Sequence, residues 1–291
     1  AAGFGSTDIL ALLATGRVAV KVPEAVKVTF RGVHAPALSG KDLALAMMRH
    51  FGEGGASYRA LEFLDATDGI DMSGRMALCN MAVDCGAKNG LFAPDATTLA
   101  YLLRRDGRDG STIAIADLGV GADDDYLKCV TIDVGALEPL VARPGSTADV
   151  VPVREAAGEK VHQVFIGSCA GGRIEDLREA ADVLRGHRVR PTLRLVVTPA
   201  SQAVYSQAIA EGLVADLIAS GAMVTASACG ACGGIDKGLL ADGEVCVSTS
   251  NRNFRGRMGH ENARIYLASA RTAAASALAG RVIDPREVLP S

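Results

Sequence analysis

The hydrophobic and polar positions of this chain change period several times, and these changes outline alternating helices and strands. In the first half, periodicity and capping residues predict helices at residues 6–15, 41–50, 72–85 and 94–103, and strands at 18–22, 26–30 and 59–64. The second half predicts strands at 164–166, 193–198 and 222–226, and helices at 174–184, 201–211 and 214–219. Strands that alternate with helices of about 10 residues predict parallel sheets with right-handed crossovers.

A break in this pattern divides the chain. Residues 137–156 are weakly periodic and include Pro139, Pro144 and Pro152, which is typical of a linker or a domain edge. We therefore expect an α/β fold with two αβα domains built on mainly parallel sheets. The expected domains are residues 1–141 and 156–291, with a linker at 142–155.

Charge and composition narrow the classes of function. The chain has 291 residues, with 30 basic and 33 acidic side chains and a net charge of −3, which indicates neither a nucleic-acid partner nor a membrane surface. No apolar run approaches the ~18 residues of a membrane span, and the start of the chain lacks a signal-peptide pattern. In a chain without an export signal, the seven cysteines are expected to be reduced, metal-bound or buried, and not paired in disulfides. We expect a cytoplasmic protein.

Three of the cysteines each follow a predicted strand. Cys169 comes just after the strand at 164–166, and Cys229 and Cys232 come after the strand at 222–226. In an open parallel sheet, ligands bind outside the carboxyl ends of the strands. Three thiolates at this edge, with no evident fourth ligand, can hold three irons of a 4Fe–4S cluster and leave one iron open to substrate.

The Cys-x-x-Cys pair taken alone has other interpretations. A redox pair is expected at a helix N-terminus, whereas Gly230, Gly233 and Gly234 indicate a loop here. A structural zinc site needs four ligands, and Cys246 or His260 would have to supply the fourth from beyond another predicted strand. Ordinary buried cysteines are the remaining alternative.

A polar loop at residues 248–257 adds a second kind of chemistry. Arg252 and Arg257 flank Phe254 in a run that is rich in hydroxyl and amide groups. Paired guanidinium groups suit the carboxylates of a di- or tricarboxylate. The alternative interpretation is a solvated basic loop without a ligand.

Four runs together resemble the aconitase superfamily, and most of all the large subunits of 3-isopropylmalate dehydratases and homoaconitases. The runs are Cys-Asn-Met-Ala at 79–82 with residues 90–95, Gly-Ser-Cys at 167–169 with 172–177, Cys-Gly-Ala-Cys at 229–232, and the loop at 250–257. They occur in the family's order over essentially the whole chain. The resemblance implies that the two domains are the aconitase-like central domains.

The same resemblance implies a cofactor and its ligands. In this family three cysteines bind a 4Fe–4S cluster, and the matching residues here are Cys169, Cys229 and Cys232. The run at 250–257 places an amide near the cluster and arginines on the substrate carboxylates. The matching substrate-binding residues are Asn251, Arg252 and Arg257.

The catalytic side chains are implied on the predicted helix at 72–85. Asn80 matches an amide beside the cluster, and Asp84 matches a carboxylate near the open iron. Residues i and i+4 share a helix face, so both side chains can point into one site. The family usually has Glu in place of Asp84, and Thr-Asn in place of Ala170-Gly171.

The resemblance implies an iron–sulfur hydro-lyase that dehydrates and rehydrates a 2-hydroxy di- or tricarboxylate. The leading substrate is 3-isopropylmalate, and homoaconitate, aconitate, citrate or an alkylmalate are alternatives. A non-catalytic iron-sensing or scaffold protein with the same fold is the alternative function. The family's Gly-Asp-Ser-His-Thr run is not in this sequence. We therefore expect two further partners, an upstream N-terminal domain and a small swivel-domain subunit that supplies the base.

Overall fold

The computed structural model describes residues 2–67, 69–106 and 121–288. Within these ranges the α-helices are α1 (Ser6–Thr15), α2 (Gly40–Phe51), α3 (Met72–Met81), α4 (Ala96–Asp106), α5 (Ile174–Leu184), α6 (Gln202–Ala210), α7 (Leu213–Ala219) and α8 (Ala270–Ala279). The strands are β1 (Ala25–Arg31), β2 (Ala60–Asp65), β3 (Asn89–Phe92), β4 (Lys128–Asp133), β5 (Leu140–Ala142), β6 (Val150–Pro152), β7 (Gln163–Gly167), β8 (Arg194–Thr198), β9 (Met223–Val224), β10 (Val245–Ser248) and β11 (Arg264–Ala268).

The described strands form two sheets. The first sheet has the order β3-β2-β1-β4, and all of its strands are parallel. The second sheet has the order β6-β5-β11-β10-β7-β8-β9. In the second sheet the described pairings are parallel except at one edge, where β5 pairs antiparallel with both β11 and β6. The α/β fold with mainly parallel sheets is therefore confirmed.

The segment predicted as a linker, residues 142–155, is not a bare connection. Its residues Val150–Pro152 form β6, which pairs with β5, and β5 pairs with β11. A proline is tolerated in an edge strand, where no further strand needs its missing N–H. The second sheet therefore begins at β5, before the expected boundary at residue 141. The division into two domains remains a prediction.

Two predicted elements differ in the structure. Residues 18–22 do not form a strand, and Val20 and Val22 are exposed. The apolar run there is not paired with any described strand. The helix predicted at 72–85 is divided, because α3 ends at Met81 and a 3-10 turn continues to Cys85. Gly86, with φ 85°, closes this turn in the left-handed conformation that glycine adopts without strain.

The second sheet contributes to two buried clusters, one on each face. Successive side chains of a strand point to opposite faces. On β7, Val164 and Ile166 pack in one cluster with residues of α5 and α8. Phe165, between them, belongs to a cluster that also contains residues of α2 and the first sheet. The two sheets thus share a continuous core.

Helix α2 connects the two sheets through its buried first turn. The Asp42 carboxylate accepts hydrogen bonds from Ser39 N at 2.9 Å and, across to β5, from Leu140 N at 3.0 Å. Burial raises the pKa of Asp42 to about 6, and the N–H donors oppose that shift. This turn fixes α2 against the second sheet and places the preceding residue, Lys41, against the loop after β10.

Candidate functional site

Cys169 and the arginine loop follow two adjacent strands, β7 and β10, whereas Cys229 and Cys232 follow β9 at the edge of the sheet. From β7 the second sheet continues through β8 and β9 to one side, and from β10 it continues through β11 to the other side. Because the strand order continues in opposite directions from β7 and from β10, the loops after these two strands diverge. They leave a crevice of the kind that ligands occupy in parallel sheets. Cys169 follows β7 and Asn251 follows β10, so both lie at this crevice.

The loop after β7 has a constrained backbone. Ser168 has φ 82°, a left-handed conformation that is rare outside glycine. The Thr249 hydroxyl accepts a hydrogen bond from Gly167 N at 2.8 Å and donates one to Gly171 O at 2.7 Å. A Cβ at Gly171 would collide with the Thr249 carbonyl oxygen, so this departure from the family pattern fits the local packing. The contacts hold Cys169 in place.

Two asparagines bridge the parts of the site that belong to different sheets. Asn80, on α3, donates from Nδ2 to the Cys169 sulfur at 3.8 Å. Asn251, after β10, donates from Nδ2 to Asn80 Oδ1. The structure therefore brings together three of the residues that the sequence indicated. Their roles remain predictions.

The predicted catalytic carboxylate pairs with a predicted substrate arginine. Arg252 Nε donates to Asp84 Oδ1 at 2.8 Å, and the side chains are 47% and 9% exposed. The hydrogen bond and the charge of Asp84 raise the pKa of Arg252. Asp84 lies in the 3-10 turn after α3, and its ion pair joins this turn to the loop after β10. The arginine is accessible, so a substrate carboxylate can compete for it.

The three predicted ligand cysteines differ in exposure from the buried cysteines. Cys169 and Cys229 are exposed, and Cys232 is partly exposed. Burial raises the pKa of Cys232, and the neighbouring Cys169 and Cys229 raise it further. Cys85 and Cys246 are fully buried, and burial raises the pKa of each to about 12. These two thiols are poor candidates for metal ligands because the ligand is the thiolate.

This donor set fits an iron–sulfur cluster. Thiolates bind such clusters, and hydrogen bonds to the sulfurs, such as the one from Asn80, tune them. Among the described residues, no group of three or more His, Cys, Asp or Glu is arranged to hold a single metal ion. In a four-iron cluster each thiolate binds a different iron, so the cysteine sulfurs lie farther apart than the ligands of a single metal ion. The zinc alternative is not supported, because Cys246 lies in the core and His260 Nδ1 lies 3.3 Å from Asp242.

Arg257, a predicted substrate-binding residue, also lies beside the predicted cluster ligand Cys232. Its guanidinium carbon lies 5.5 Å from the centre of the Phe254 ring. Its charge and hydrogen bonding lower the pKa of Cys232, against the effect of burial. Its Nε is buried and has no hydrogen-bond partner in the described part of the chain. Arg255 is exposed and points to Glu261 O, at 3.4 Å from its Nε.

Lys41 is the site residue that the sequence reasoning missed. It is only 2% exposed, and its Nζ donates to the Ser250 carbonyl at 2.8 Å and lies 3.3 Å from Met81 Sδ. Burial lowers its pKa to about 8. One signal was present in the sequence: a cation in the first turn of a helix opposes the helix dipole. A lysine at this position therefore needs stabilising contacts from elsewhere in the fold.

A cleft of about 340 Å³ opens beside Asn80. Its apolar lining comes from Met72, Met76 and Phe92, and Arg173 lies in its wall. The Arg173 Nε is buried and lacks a hydrogen-bond partner among the described residues. The cleft thus offers an apolar surface next to an unsatisfied cationic donor.

Comparison with protein families defines the class of protein. The model of the aconitase family (aconitate hydratase) matches residues 1–280, and the chain belongs to this family. No helix in the described ranges has the length and apolar character needed to cross a membrane.

Among its relatives, the chain is 45% identical over 289 residues to the 3-isopropylmalate dehydratase large subunit of Heliobacterium modesticaldum, covering 99% of this chain and 68% of that protein. It is 46% identical over 290 residues to the same-named protein of Sulfurovum sp., covering 98% and 68%. A solved structure, the holo form of Thermococcus kodakaraensis aconitase X, is 13% identical, with a TM-score of 0.46 over 83% of this chain and 53% of that one.

A pH-dependent stability is expected from Asp176, which is buried in the first turn of α5. Burial raises the pKa of Asp176 from 3.8 to about 7. Ionisation of the buried carboxyl therefore destabilises the folded state progressively as pH rises between these two values, and the full destabilisation is present at higher pH. Replacing Asp176 by Asn should therefore raise the melting temperature at pH 8 more than at pH 5. At 1.36 kcal/mol per unit, the gain at pH 8 is at most on the order of 4 kcal/mol. Thermal unfolding at both values gives the comparison, and equal changes would contradict it.

Proposed function

We propose that this chain is the cluster-bearing part of a hydro-lyase that dehydrates and rehydrates a 2-hydroxy di- or tricarboxylate. The observation that carries the proposal is the meeting of a cysteine loop, two bridging asparagines and a carboxylate–arginine pair at the crevice beside β7 and β10. A solvated basic loop would not require the Asn251 and Arg252 side chains to contact α3 and the turn after it.

Cys169, Cys229 and Cys232 would hold a 4Fe–4S cluster at this crevice. When bound, the cluster supplies a Lewis-acidic iron that polarises oxygen atoms of the substrate. Asn80 and Asn251 form a continuous amide pair against the Cys169 sulfur. This pair orients the sulfur and keeps polar donors at the edge of the cleft.

Arg252 and Asp84 would act together on the substrate. The Arg252 guanidinium binds a substrate carboxylate through a charge-assisted hydrogen bond. Competition for Arg252 releases Asp84 Oδ1, which then exchanges a proton with the substrate hydroxyl as it leaves as water and returns. The base that removes the carbon-bound proton would come from the small swivel-domain subunit. That subunit and the N-terminal domain would complete the enzyme, which we place in the cytoplasm.

We favour 3-isopropylmalate as the substrate. Its alkyl group suits the apolar wall of Met72, Met76 and Phe92, and a second carboxylate suits the cationic Arg173 in the same cleft. Relatives that are 44–46% identical carry the name 3-isopropylmalate dehydratase large subunit. A tricarboxylate would place a third charge against this apolar wall, at a desolvation cost.

Replacing any one of Cys169, Cys229 and Cys232 by Ser should abolish or greatly weaken cluster binding, because the cluster loses a thiolate ligand. The protein is reconstituted anaerobically with iron and sulfide, and iron per chain is measured. Turnover of 3-isopropylmalate is then followed with the chains that complete the enzyme. Cys129→Ser is the matched control, since Cys129 is also exposed but lies on β4 in the first sheet.

We expect the wild type and the Cys129 variant to bind about four irons, as a 4Fe–4S cluster contains, and to dehydrate the substrate. A loaded wild type without turnover in the completed enzyme would favour the scaffold alternative. Unchanged iron content in all three ligand variants would contradict the cluster site.

Arg252→Lys should impair the reaction while the iron content stays the same. Lysine keeps the charge but loses the planar fork that binds a carboxylate. A charge-assisted hydrogen bond contributes about 1.5–3 kcal/mol, or roughly 10- to 150-fold in kcat/KM. Steady-state kinetics of the completed enzyme measure this loss. Arg255→Lys is the control, because Arg255 is exposed and contacts Glu261 O and Asn262 instead. Full activity of Arg252→Lys would show that Arg252 does not bind the substrate.

A further inference from the structure

Within the part of the chain that the structure describes, the buried ammonium of Lys41 contacts only neutral acceptors. Its Nζ donates to Ser250 O at 2.8 Å and to Asn251 Oδ1 at 3.5 Å, and it lies 3.3 Å from Met81 Sδ. No carboxylate in the described ranges forms a direct ion pair with it. A buried cation is stable only when negative charge compensates for lost hydration. Its place in the first turn of α2 adds to this requirement, because the helix dipole is positive there.

Two carboxylates in the surroundings can compensate the charge of Lys41, and two cysteines would do so as the proposed thiolate ligands. In decreasing order of effect on Lys41 they are Asp176, Asp84, Cys232 and Cys169. Asp84 already pairs with Arg252. Asp176 is itself buried, and its pKa is raised to about 7, so it is only partly ionised at neutral pH. The sulfurs of Cys169 and Cys232 are the remaining candidates.

A directed series of hydrogen bonds joins Lys41 to one of these sulfurs. Lys41 Nζ donates to Asn251 Oδ1, Asn251 Nδ2 donates to Asn80 Oδ1, and Asn80 Nδ2 donates to Cys169 Sγ. Every donor in this series points towards the sulfur. Hydrogen bonds arranged in this way polarise one another, so the ammonium strengthens the last donor to the sulfur.

We propose that Lys41 is a positioning residue that supplies the buried counter-charge of the iron–sulfur cluster and orients the Asn251–Asn80 amide pair. The inference rests on the proposed function, because it requires the cluster at Cys169, Cys229 and Cys232. A 4Fe–4S core of charge 2+ with three thiolates carries a net charge of about −1, which matches one ammonium. Lys41 and the cluster therefore stabilise each other, and this coupling is reciprocal.

The experiment compares the wild type with Lys41→Met and Lys41→Gln after anaerobic reconstitution. Methionine removes the charge and the donor, whereas glutamine removes the charge but keeps a donor for Ser250 O. The readouts are the rate of cluster loss to a chelator, the midpoint potential of the cluster, and the melting temperatures with and without cluster. None of these depends on turnover.

We expect both neutral variants to lose the cluster faster, by ~5- to 150-fold for a coupling of ordinary size. Their midpoint potentials should be more negative, because a nearby cation favours the reduced, more negative cluster. Without cluster, the variants should be at least as stable as the wild type, since the uncompensated charge is gone. The rise in melting temperature on cluster binding should be smaller than in the wild type.

Two control variants separate charge from general disturbance. Asp176→Asn, measured at pH 8, removes a buried negative charge facing Lys41 and should shift the potential in the opposite, positive direction. Lys160→Met removes an exposed cation before the amino end of β7, at the edge away from the site, and should change nothing. If Lys41→Met fails to fold, the potential of Lys41→Gln decides.

Three results would overturn the inference. Neutral Lys41 variants with wild-type potential and cluster retention would exclude the counter-charge. A shift of the same sign in Asp176→Asn and the Lys41 variants would indicate structural disturbance instead. A wild type that takes up no cluster would overturn the proposed function together with the inference, and this outcome is distinct from the first two.

Discussion

The pairing of β7 with β10 is the constraint on which the site depends. The two strands are parallel neighbours, with Phe165 opposite Ser248, although about 80 residues separate them in the chain. Their carboxyl ends therefore lie side by side, and the loops that follow must diverge from one edge. Thr249 ties these loops together through Gly167 and Gly171. The nearness of Cys169 to the arginine loop is thus a result of topology.

The other half of the site comes from the first sheet, and α2 sets its position. Neighbouring residues of α2 have complementary contacts: the Asp42 carboxylate receives the backbone N–H of Leu140, and the Lys41 ammonium binds the carbonyl of Ser250. Both contacts are buried and reach the second sheet. Helix α3, which packs against α2, then carries Asn80 to the cysteine loop. The packing of the two sheets therefore determines where the side chains of the candidate site lie.

The features set by local sequence were predictable, and those set by tertiary contact were not. Helix α5 has the predicted bounds, Ile174–Leu184, because its acidic first turn and amphipathic pattern are local signals. The β6 strand was missed because its pairing with β5 decides it. The cluster ligands remain a prediction from strand ends and family resemblance. The Arg252–Asp84 pair spans 168 positions, and the burial of Lys41 depends on the loop after β10, so neither was visible in the sequence.

The central claim is that three cysteines converge on one iron–sulfur cluster at the crevice beside β7 and β10. Diffraction from crystals of the anaerobically reconstituted protein, collected at the iron absorption edge, tests it most directly. The account predicts one compact anomalous peak, in contact with the sulfurs of Cys169, Cys229 and Cys232 and beside the Asn80 amide. Iron bound elsewhere, or a peak in contact with only the Cys229–Cys232 pair while Cys169 remains apart, would contradict it.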